Sequence, residues 1–164
     1  MKEKKIKGQS IEELVKLLTI LRKEKNVQDM VVRRFQKLIL EDGLYSQTIR
    51  EFIYPMVVFR KDGIILFVNN ALTEETGLYI DEFSAKNHNI LDRITDSNFQ
   101  ILDAVEDVFS GKTSFLTNLF DPLAMFIRES SSKQADCSKY KSAFFFPIVE
   151  DRGQITNGAV IFIK

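Results

Sequence analysis

The fold is decided by the stretch Met56-Val-Val-Phe-Arg-Lys-Asp-Gly-Ile-Ile-Leu-Phe-Val-Asn-Asn-Ala-Leu-Thr-Glu-Glu-Thr-Gly77. Its two apolar runs, Met56 to Arg60 and Ile64 to Val68, flank an Asp-Gly pair, which is one of the better short-range signals of a β-hairpin. Asn70 is then predicted to cap a short helix that stops at Gly77. The stretch therefore predicts two antiparallel strands followed by a helix.

The chain after this stretch predicts one longer helix and then further strands. The helix is predicted to begin at Ser97, where Gln100 completes a capping box, and to stop at Gly111. The polar, Ser-rich segment 128–139 reads as a loop. The predicted strands are 113–120, a continuation over 123–127 after a bulge at Pro122, 140–149 and 155–163.

The chain before this stretch is predicted to be helical. Apolar residues recur at helical spacing from a capping box at Ser10 and Glu13 up to Gly43. The pattern allows one long helix or a hairpin of two, and Asn26, a possible cap, favours a break. A third, short helix is predicted from Ser46 to Phe52. We therefore divide the chain into a helical extension, residues 1–45, and a domain, residues 46–164.

The order of the elements in the domain is two strands, helices and then three strands. Five antiparallel strands with helices on one face are an economical solution for this order, so the predicted fold class is α+β. Such a sheet encloses an apolar space against its helices, which is either a solid core or a ligand pocket.

Composition and charge fit a globular protein with a basic arm. The 164 residues are 45% hydrophobic and 28% charged, with 14 Phe and no Trp. Residues 1–45 carry a net charge of +4 and residues 46–164 a net charge of −4. One cysteine cannot form an internal disulfide, and the sequence shows neither a signal peptide nor an apolar run of membrane-spanning length. We expect a cytoplasmic protein.

The domain resembles the PAS family over roughly residues 46–164. The family's strand-Asn-helix-Gly stretch is similar to Phe67-Val-Asn-Asn-Ala-Leu-Thr-Glu-Glu-Thr-Gly77, preceded by the Asp62-Gly63 turn. Further similar segments follow in the family's order: Asp81-Glu-Phe83, Asn89-Ile-Leu-Asp-Arg-Ile94, Gly111-Lys112, Pro147-Ile148, Gly153 and Gly158. The sequence departs from the pattern at Leu78 and Ala85 and in its longer 119–139 region.

The resemblance implies a non-catalytic sensory domain. PAS domains bind a small molecule or a partner protein and relay a conformational change to an output domain through flanking helices. Residues 10–42 would be such helices, and they would also support a homodimer. The residues expected at that dimer contact are Leu14, Leu18, Leu21, Val31 and Phe35.

A ligand site is predicted where the long helix faces the strands. Phe144 and Phe146 share one face of their strand and Phe145 takes the other, but alternation does not decide which face is inside. Tyr140 and Ser142 fall on the face of Phe144. Asn69 more often caps a helix or braces a turn than touches a ligand. The predicted ligand-binding residues are Asn69, Phe99, Leu102, Phe115, Ser142, Phe144 and Phe146.

The resemblance suggests two cofactors, haem and a thiol-linked flavin, but the positions of the only histidine and the only cysteine argue against both. His88, the only histidine, lies before the long helix in a polar context typical of an exposed loop, which argues against haem ligation. Cys137, the only thiol, lies in the predicted loop and lacks the motif of flavin-thiol photoreceptors. No metal site is expected, because a lone cysteine and a lone histidine are insufficient for one.

Catalysis is not expected. One histidine leaves no credible catalytic triad, the carboxylates lie on predicted helix faces, and there is no Gly-rich phosphate loop. The first alternative to a sensor is an interaction module with a filled core. The second is a transcription regulator that binds DNA through residues 10–42, for which Arg33 and Arg34 are the only indication.

Overall fold

The computed structural model describes residues 2–21, 24–80, 88–127, 139–150 and 152–164. The chain divides into two compact units, Met1–Leu44 and Tyr45–Lys164. No helix among the described residues is long and apolar enough to cross a membrane.

The first unit is a pair of helices, α1 (Lys2–Thr19) and α2 (Lys25–Asp42). The break that the sequence favoured near Asn26 is therefore present. Two predicted helix starts are wrong. Helix α1 begins at Lys2 rather than at Ser10, and α2 is preceded by Glu24, so Asn26 lies inside the helix rather than capping it. Gly43 ends α2 as predicted.

Helices α1 and α2 contact each other. Leu14 and Leu18 on α1 and Val31 and Phe35 on α2 are almost completely buried. An ion pair between Arg34 Nη1 and Glu13 Oε2, 2.6 Å apart, links the exposed sides of the two helices. Exposed ion pairs contribute less than about 1 kcal/mol, so the buried side chains carry the stability of this unit.

The described residues of the second unit form three α-helices and five strands. The helices are α3 (Gln47–Arg50), α4 (Asn70–Thr76) and α5 (Gln100–Phe109). The strands are β1 (Met56–Arg60), β2 (Ile65–Val68), β3 (Ser114–Leu116), β4 (Ser142–Val149) and β5 (Ile155–Ile163). Two 3₁₀ helices, Leu91–Arg93 and Pro122–Phe126, lie on either side of α5 and β3.

The five strands form one antiparallel sheet in the order β2-β1-β5-β4-β3. The last strand is therefore central. It pairs with β1 on one side and with β4 on the other, with Val160 opposite both Val57 and Phe145. The predicted five-stranded antiparallel sheet is confirmed.

The helices α4 and α5 pack on one face of this sheet. Leu72 of α4 and Ile101, Ala104, Val105 and Val108 of α5 share one buried cluster with the strands. The strand residues in that cluster are Val57, Phe59, Ile65, Ala143, Phe145, Val160 and Phe162. Phe145 thus faces the helices, which answers the question that alternation left open.

The opposite face of the sheet is also buried. Phe144 and Phe146 are fully buried there, with ring centroids 5.5 Å apart, and Met56, Val58 and Ile161 are equally inaccessible. Burial on both faces explains why three consecutive phenylalanines are tolerated in one strand.

The region between α5 and β4 differs from the prediction. The predicted strand continuation over 123–127 is wrong, because Pro122–Phe126 is a 3₁₀ helix. Pro122 stands in its first turn, where the missing N–H costs no hydrogen bond. Strand β3 is shorter than predicted, and α5 begins at Gln100 rather than at Ser97. The side chain of Asn69, rather than that of Asn70, caps α4.

Helix α4 ends at Gly77 as predicted. Gly77 has φ 77° and ψ 0°, and its N–H donates to the carbonyl oxygen of Thr73 at 2.8 Å. This left-handed conformation closes the last turn of the helix and strains any residue with a Cβ atom.

We expect Gly77→Ala to lower the free energy of unfolding by about 1 kcal/mol, because alanine is strained in the left-handed conformation that Gly77 adopts. Gly77→Asn should cost less, since asparagine tolerates this conformation better. Chemical denaturation of the two variants checks the order. Equal losses would contradict a backbone origin.

Candidate functional site

A cleft lies beside the N-terminal end of α5. Its walls come from the Leu91–Arg93 turn, from the residues before α5 and from the Pro122–Phe126 turn with its preceding loop. Its volume is about 300 Å³. We call it the Arg93 cleft, and its main lining residues are Arg93, Thr95, Asn98, Phe120, Asp121 and Met125.

Arg93 is half-buried in the wall of this cleft. Its Nη1 donates to the carbonyl oxygen of Met125 at 2.6 Å, and its Nη2 lies 3.2 Å from Nδ1 of His88. A guanidinium only donates, so the imidazole nitrogen accepts. Burial lowers the pKa of Arg93 below its usual value, because the surroundings solvate the cation less well than water does. Arginine has five N–H donors, so three are left for another acceptor.

Asn98 fixes the floor of the cleft. Its Oδ1 accepts from the backbone N–H of Thr95 at 2.6 Å, and its Nδ2 donates to the carbonyl oxygen of Arg93 at 3.3 Å. Nδ2 also lies 3.7 Å from Sδ of Met125. One side chain therefore ties together both sides of the cleft, so the position of Arg93 is set in advance of any binding.

Asp121 supplies a charge of the opposite sign. It lies in the left-handed region with φ 45° and ψ 57°, directly before the Pro122–Phe126 turn. Its Oδ1 is buried and has no hydrogen-bond partner within the described part of the chain. A buried acceptor without a donor is costly, about 1–3 kcal/mol, and such groups are rare in native proteins.

The two charges of the Arg93 cleft do not neutralise each other. Among the described residues, Arg93 forms no ion pair with Asp121, although both line the same cleft. Each is therefore free to meet a group of opposite charge. The cleft can bind a polar molecule, and its chemistry is that of recognition by charge and hydrogen bonding.

Phe120 stands at the mouth of the Arg93 cleft. It is 87% exposed, which is unusual for a large apolar side chain, and it precedes the left-handed Asp121. Asn118, two residues earlier, is also left-handed, with φ 57°. The loop thus holds two non-glycine residues in a sparsely populated conformation, a feature that clusters at binding sites.

Asn69, a predicted ligand residue, instead holds the backbone of several segments together. It is fully buried, and its four side-chain hydrogen bonds all go to the backbone. Oδ1 accepts from the N–H groups of Met56 and Leu72 at 2.9 and 3.1 Å. Nδ2 donates to the carbonyl oxygens of Phe52 and Tyr54 at 3.1 and 2.7 Å. These bonds use its full hydrogen-bonding capacity, so they match the capping and bracing role favoured from the sequence.

The other predicted ligand residues are not brought together in one pocket. Four of them, Phe115, Ser142, Phe144 and Phe146, share the sheet face away from α5, where Phe115 is opposite Phe144. Leu102 and Phe99 lie at α5 and are 39% and 58% exposed. The sheet separates the two groups. Tyr140, expected on the face of Phe144, instead packs in the cluster under the helices.

Leu102 lines a second cleft on the outer side of α5. This groove is about 300 Å³ in volume, and its walls are mostly apolar, with Leu91, Val105 and Phe109 beside the surface charges of Lys61 and Glu106. In the described part of the chain, none of these side chains carries a buried polar atom without a partner.

His88 is half-buried against Arg93, so its expected exposure to solvent is wrong. Cys137 lies outside the described residues, and the expectations for it stay predictions. Among the described residues, no group of three or more metal-ligating side chains is assembled.

The five predicted dimer residues are all buried in the single chain. Leu14, Leu18, Leu21, Val31 and Phe35 are at most 6% exposed. They are therefore not available to a second copy while the helices keep this arrangement.

The two arginines that indicated DNA binding differ in their surroundings. Arg34 is paired with Glu13, and Arg33 is exposed.

Sequence reasoning missed the Arg93 cleft. The sequence pattern indicates only an interrupted strand at Asp121-Pro122, and at Arg93 only a segment that leads into the long helix. The one local signal was that an aspartate before proline, next to a phenylalanine, disrupted an otherwise apolar run.

No protein-family model and no curated protein matches the chain. Among solved structures, the chain is similar to a sensory box sensor histidine kinase from Vibrio cholerae, with 15% identity and a TM-score of 0.46 over 82% of this chain and 95% of that one. It is also similar to the PAS domain of an HTR-like protein from Haloarcula marismortui, with 13% identity and a TM-score of 0.44 over 85% and 98% of the two chains. An RNA-binding Light-Oxygen-Voltage receptor matches with 11% identity and a TM-score of 0.48 over 92% and 48%.

The second unit has the α+β fold that the sequence predicts: a five-stranded antiparallel sheet with α4 and α5 on one face.

Proposed function

We propose that the protein is a non-catalytic sensory domain that binds a small polar molecule in the Arg93 cleft. One observation carries the proposal: a half-buried guanidinium with donors to spare lines the same cleft as Asp121, and among the described residues neither charge is part of an ion pair. A bound molecule that meets these groups recovers free energy that the unbound protein lacks.

The Arg93 cleft is a better candidate than the groove beside Leu102. The groove offers apolar side chains and two surface charges, which are ordinary features of a helix exposed to water. The cleft offers prearranged polar groups, and specificity in small-molecule sites comes from a few such groups.

Binding would act through a shift between conformations. A ligand that accepts from the free donors of Arg93 and also meets Asp121 links the turn before α5 to the Pro122–Phe126 turn, in addition to the hydrogen bond from Nη1 to Met125. The ligand therefore favours one arrangement of these two segments. We propose that the helices α1 and α2 relay this change to an output domain or partner.

The proposal predicts that two minimal probes perturb the Arg93 cleft: acetate for the guanidinium and methylammonium for the carboxylate. We expect both to shift the amide resonances of Asn98 and Ala124 in NMR titrations. Arg93→Lys should weaken the acetate response about tenfold, because lysine cannot present the fork of donors that matches a carboxylate.

The matched control is Arg60→Lys, which changes the same side chain at an exposed surface pair with Asp62. It should leave both titrations unchanged. Probes that shift no resonance of the cleft, or an equal loss in both variants, would contradict the proposed site. Native mass spectrometry of protein purified from cells tests independently for a small molecule that copurifies.

Homodimerisation is part of the proposal, but not through the five buried residues. A dimer of the structure as it stands would use exposed apolar side chains of the helical unit, of which Ile20, Met30 and Leu40 are the largest among the described side chains. Sedimentation equilibrium of the protein and of Leu40→Lys tests this, since a charge at the contact dissociates a dimer and leaves a monomer unaffected.

A further inference from the structure

The charges of the Arg93 cleft restrict the molecule that it can hold, and this inference rests on the proposed function. Arg93 presents a cation and Asp121 an anion, and neither is neutralised by the other or, among the described residues, by a third charged group. The occupant must therefore be compatible with both at once.

A ligand with a single charge satisfies only half of the cleft. A simple anion would pair with Arg93, but it would lie in the same cleft as the carboxylate of Asp121 and be repelled by it. A simple cation would meet Asp121, but it would face the guanidinium, whose burial makes its charge less well solvated. Both kinds of ligand leave one protein charge without a partner, and such groups are expensive to bury.

We propose that the Arg93 cleft binds a small zwitterion of the α-amino acid class. Its carboxylate accepts hydrogen bonds from the free donors of Arg93, and its ammonium group pairs with the carboxylate of Asp121, which lines the same cleft. The cleft volume of about 300 Å³ is at the lower end of the range for ligand pockets, which fits a molecule of amino acid size.

Phe120 gives the third part of the recognition. Its ring lines the cleft and is 87% exposed, so a ligand side chain that packs on it removes apolar surface of both partners from water. The ring face also attracts a cation such as the ligand's ammonium group. We therefore expect amino acids with apolar or aromatic side chains to bind more tightly than glycine.

Binding is measured by calorimetry with the standard L-amino acids as probes. Each is compared with the carboxylic acid that lacks its amino group and with the amine that lacks its carboxyl group. We expect the intact amino acid to bind roughly 10- to 100-fold more tightly than either counterpart, as the loss of a charged hydrogen bond predicts.

The decisive variant is Asp121→Asn. Asparagine keeps the size of the side chain and tolerates the left-handed backbone, so the fold is retained. We expect this variant to lose affinity for the amino acid while its affinity for the amine-free acid rises, because the repelling charge is gone. A purely structural role of Asp121 would weaken both ligands together. Asp103→Asn, at an exposed position of α5, is the matched control.

The outcomes separate this inference from the proposed function. If single-charge probes bind in the Arg93 cleft as tightly as the amino acids, and Asp121→Asn does not reverse the preference, the zwitterion inference is wrong and the sensory site stands. If no probe of any charge binds there, both are wrong. A Phe120→Ala variant that still binds aromatic amino acids more tightly than glycine would support the charge pair and overturn the role of the ring.

Discussion

The variant Asn69→Ala is expected to lose about 3–5 kcal/mol of unfolding free energy, which is a large fraction of the stability of a domain of this size. Asn69 is fully buried and makes four side-chain hydrogen bonds. Alanine removes all four. It leaves two N–H groups and two carbonyl oxygens to find other partners in a region with little access to water.

The neighbouring asparagine supplies the control. Asn70 is exposed in the first turn of α4, and Asn70→Ala should change the stability by less than about 0.5 kcal/mol. Asn69→Asp separates the two halves of the network. It keeps the acceptor for Met56 and Leu72, but it turns an oxygen towards the carbonyls of Phe52 and Tyr54. We expect it to be destabilised as well, and urea denaturation that finds it as stable as the parent would refute this account.

The second large effect is expected for Gly158→Ala in the central strand. A Cβ atom at Gly158 would lie 2.7 and 2.8 Å from two ring atoms of Phe59 and 2.8 Å from Cγ1 of Val108. All three distances are shorter than real contacts of a Cβ atom. The ring of Phe59 also touches those of Phe109 and Phe145, so it has little freedom to move. We expect a loss of about 1–3 kcal/mol in unfolding free energy.

A double-mutant cycle identifies the cause of this loss. Phe59→Leu shortens the side chain that the new methyl group meets, so the double variant should lose less than the two single variants together. The expected coupling is about 1 kcal/mol, within the range for residues in contact. Gln154→Ala, in the exposed turn before β5, should be neutral. Additive losses in the cycle would show that overpacking is not the reason.

The sequence predicted those parts of the fold that depend on neighbours along the chain. The Asp-Gly turn between two apolar runs is sufficient to predict β1 and β2, and Gly77 is sufficient to predict where α4 ends. Both are local: a turn or a cap needs only a few consecutive residues. The sequence also predicts that Phe144 and Phe146 lie on one face of their strand and Phe145 on the other. It does not predict which of these faces packs against the helices, because that depends on contacts distant in the chain.

The 3₁₀ helix Pro122–Phe126 shows where local patterns fail. The run Leu-Ala-Met-Phe-Ile is apolar in a way that suits a strand or a short helix, and nothing in its period separates the two. The structure places Leu123 and Phe126 in the cluster beneath the helices, and a tight turn delivers both to the same side. The tertiary contact decided the local conformation.

The candidate site was the least predictable part. Asn98 and Met125 are 27 positions apart in the chain, and Arg93 and Met125 are 32 apart, yet each pair is in contact. The periodicity of a helix or a strand relates residues only a few positions apart, so it cannot predict contacts between residues this far apart in the sequence. The residues chosen from the sequence were those on the strands and helix of the sheet, whereas the unpaired charges lie in the connecting segments, where binding residues are common.

The central position of β5 has a consequence for the synthesis of the protein. A nascent chain that has reached Glu150 already contains the residues of the hairpin β1–β2 and of the pair β3–β4, but nothing joins them into one sheet. Each pair then has one edge whose backbone groups await a partner, and such edges are prone to aggregation. The sheet closes only after the ribosome has released the residues of the last strand.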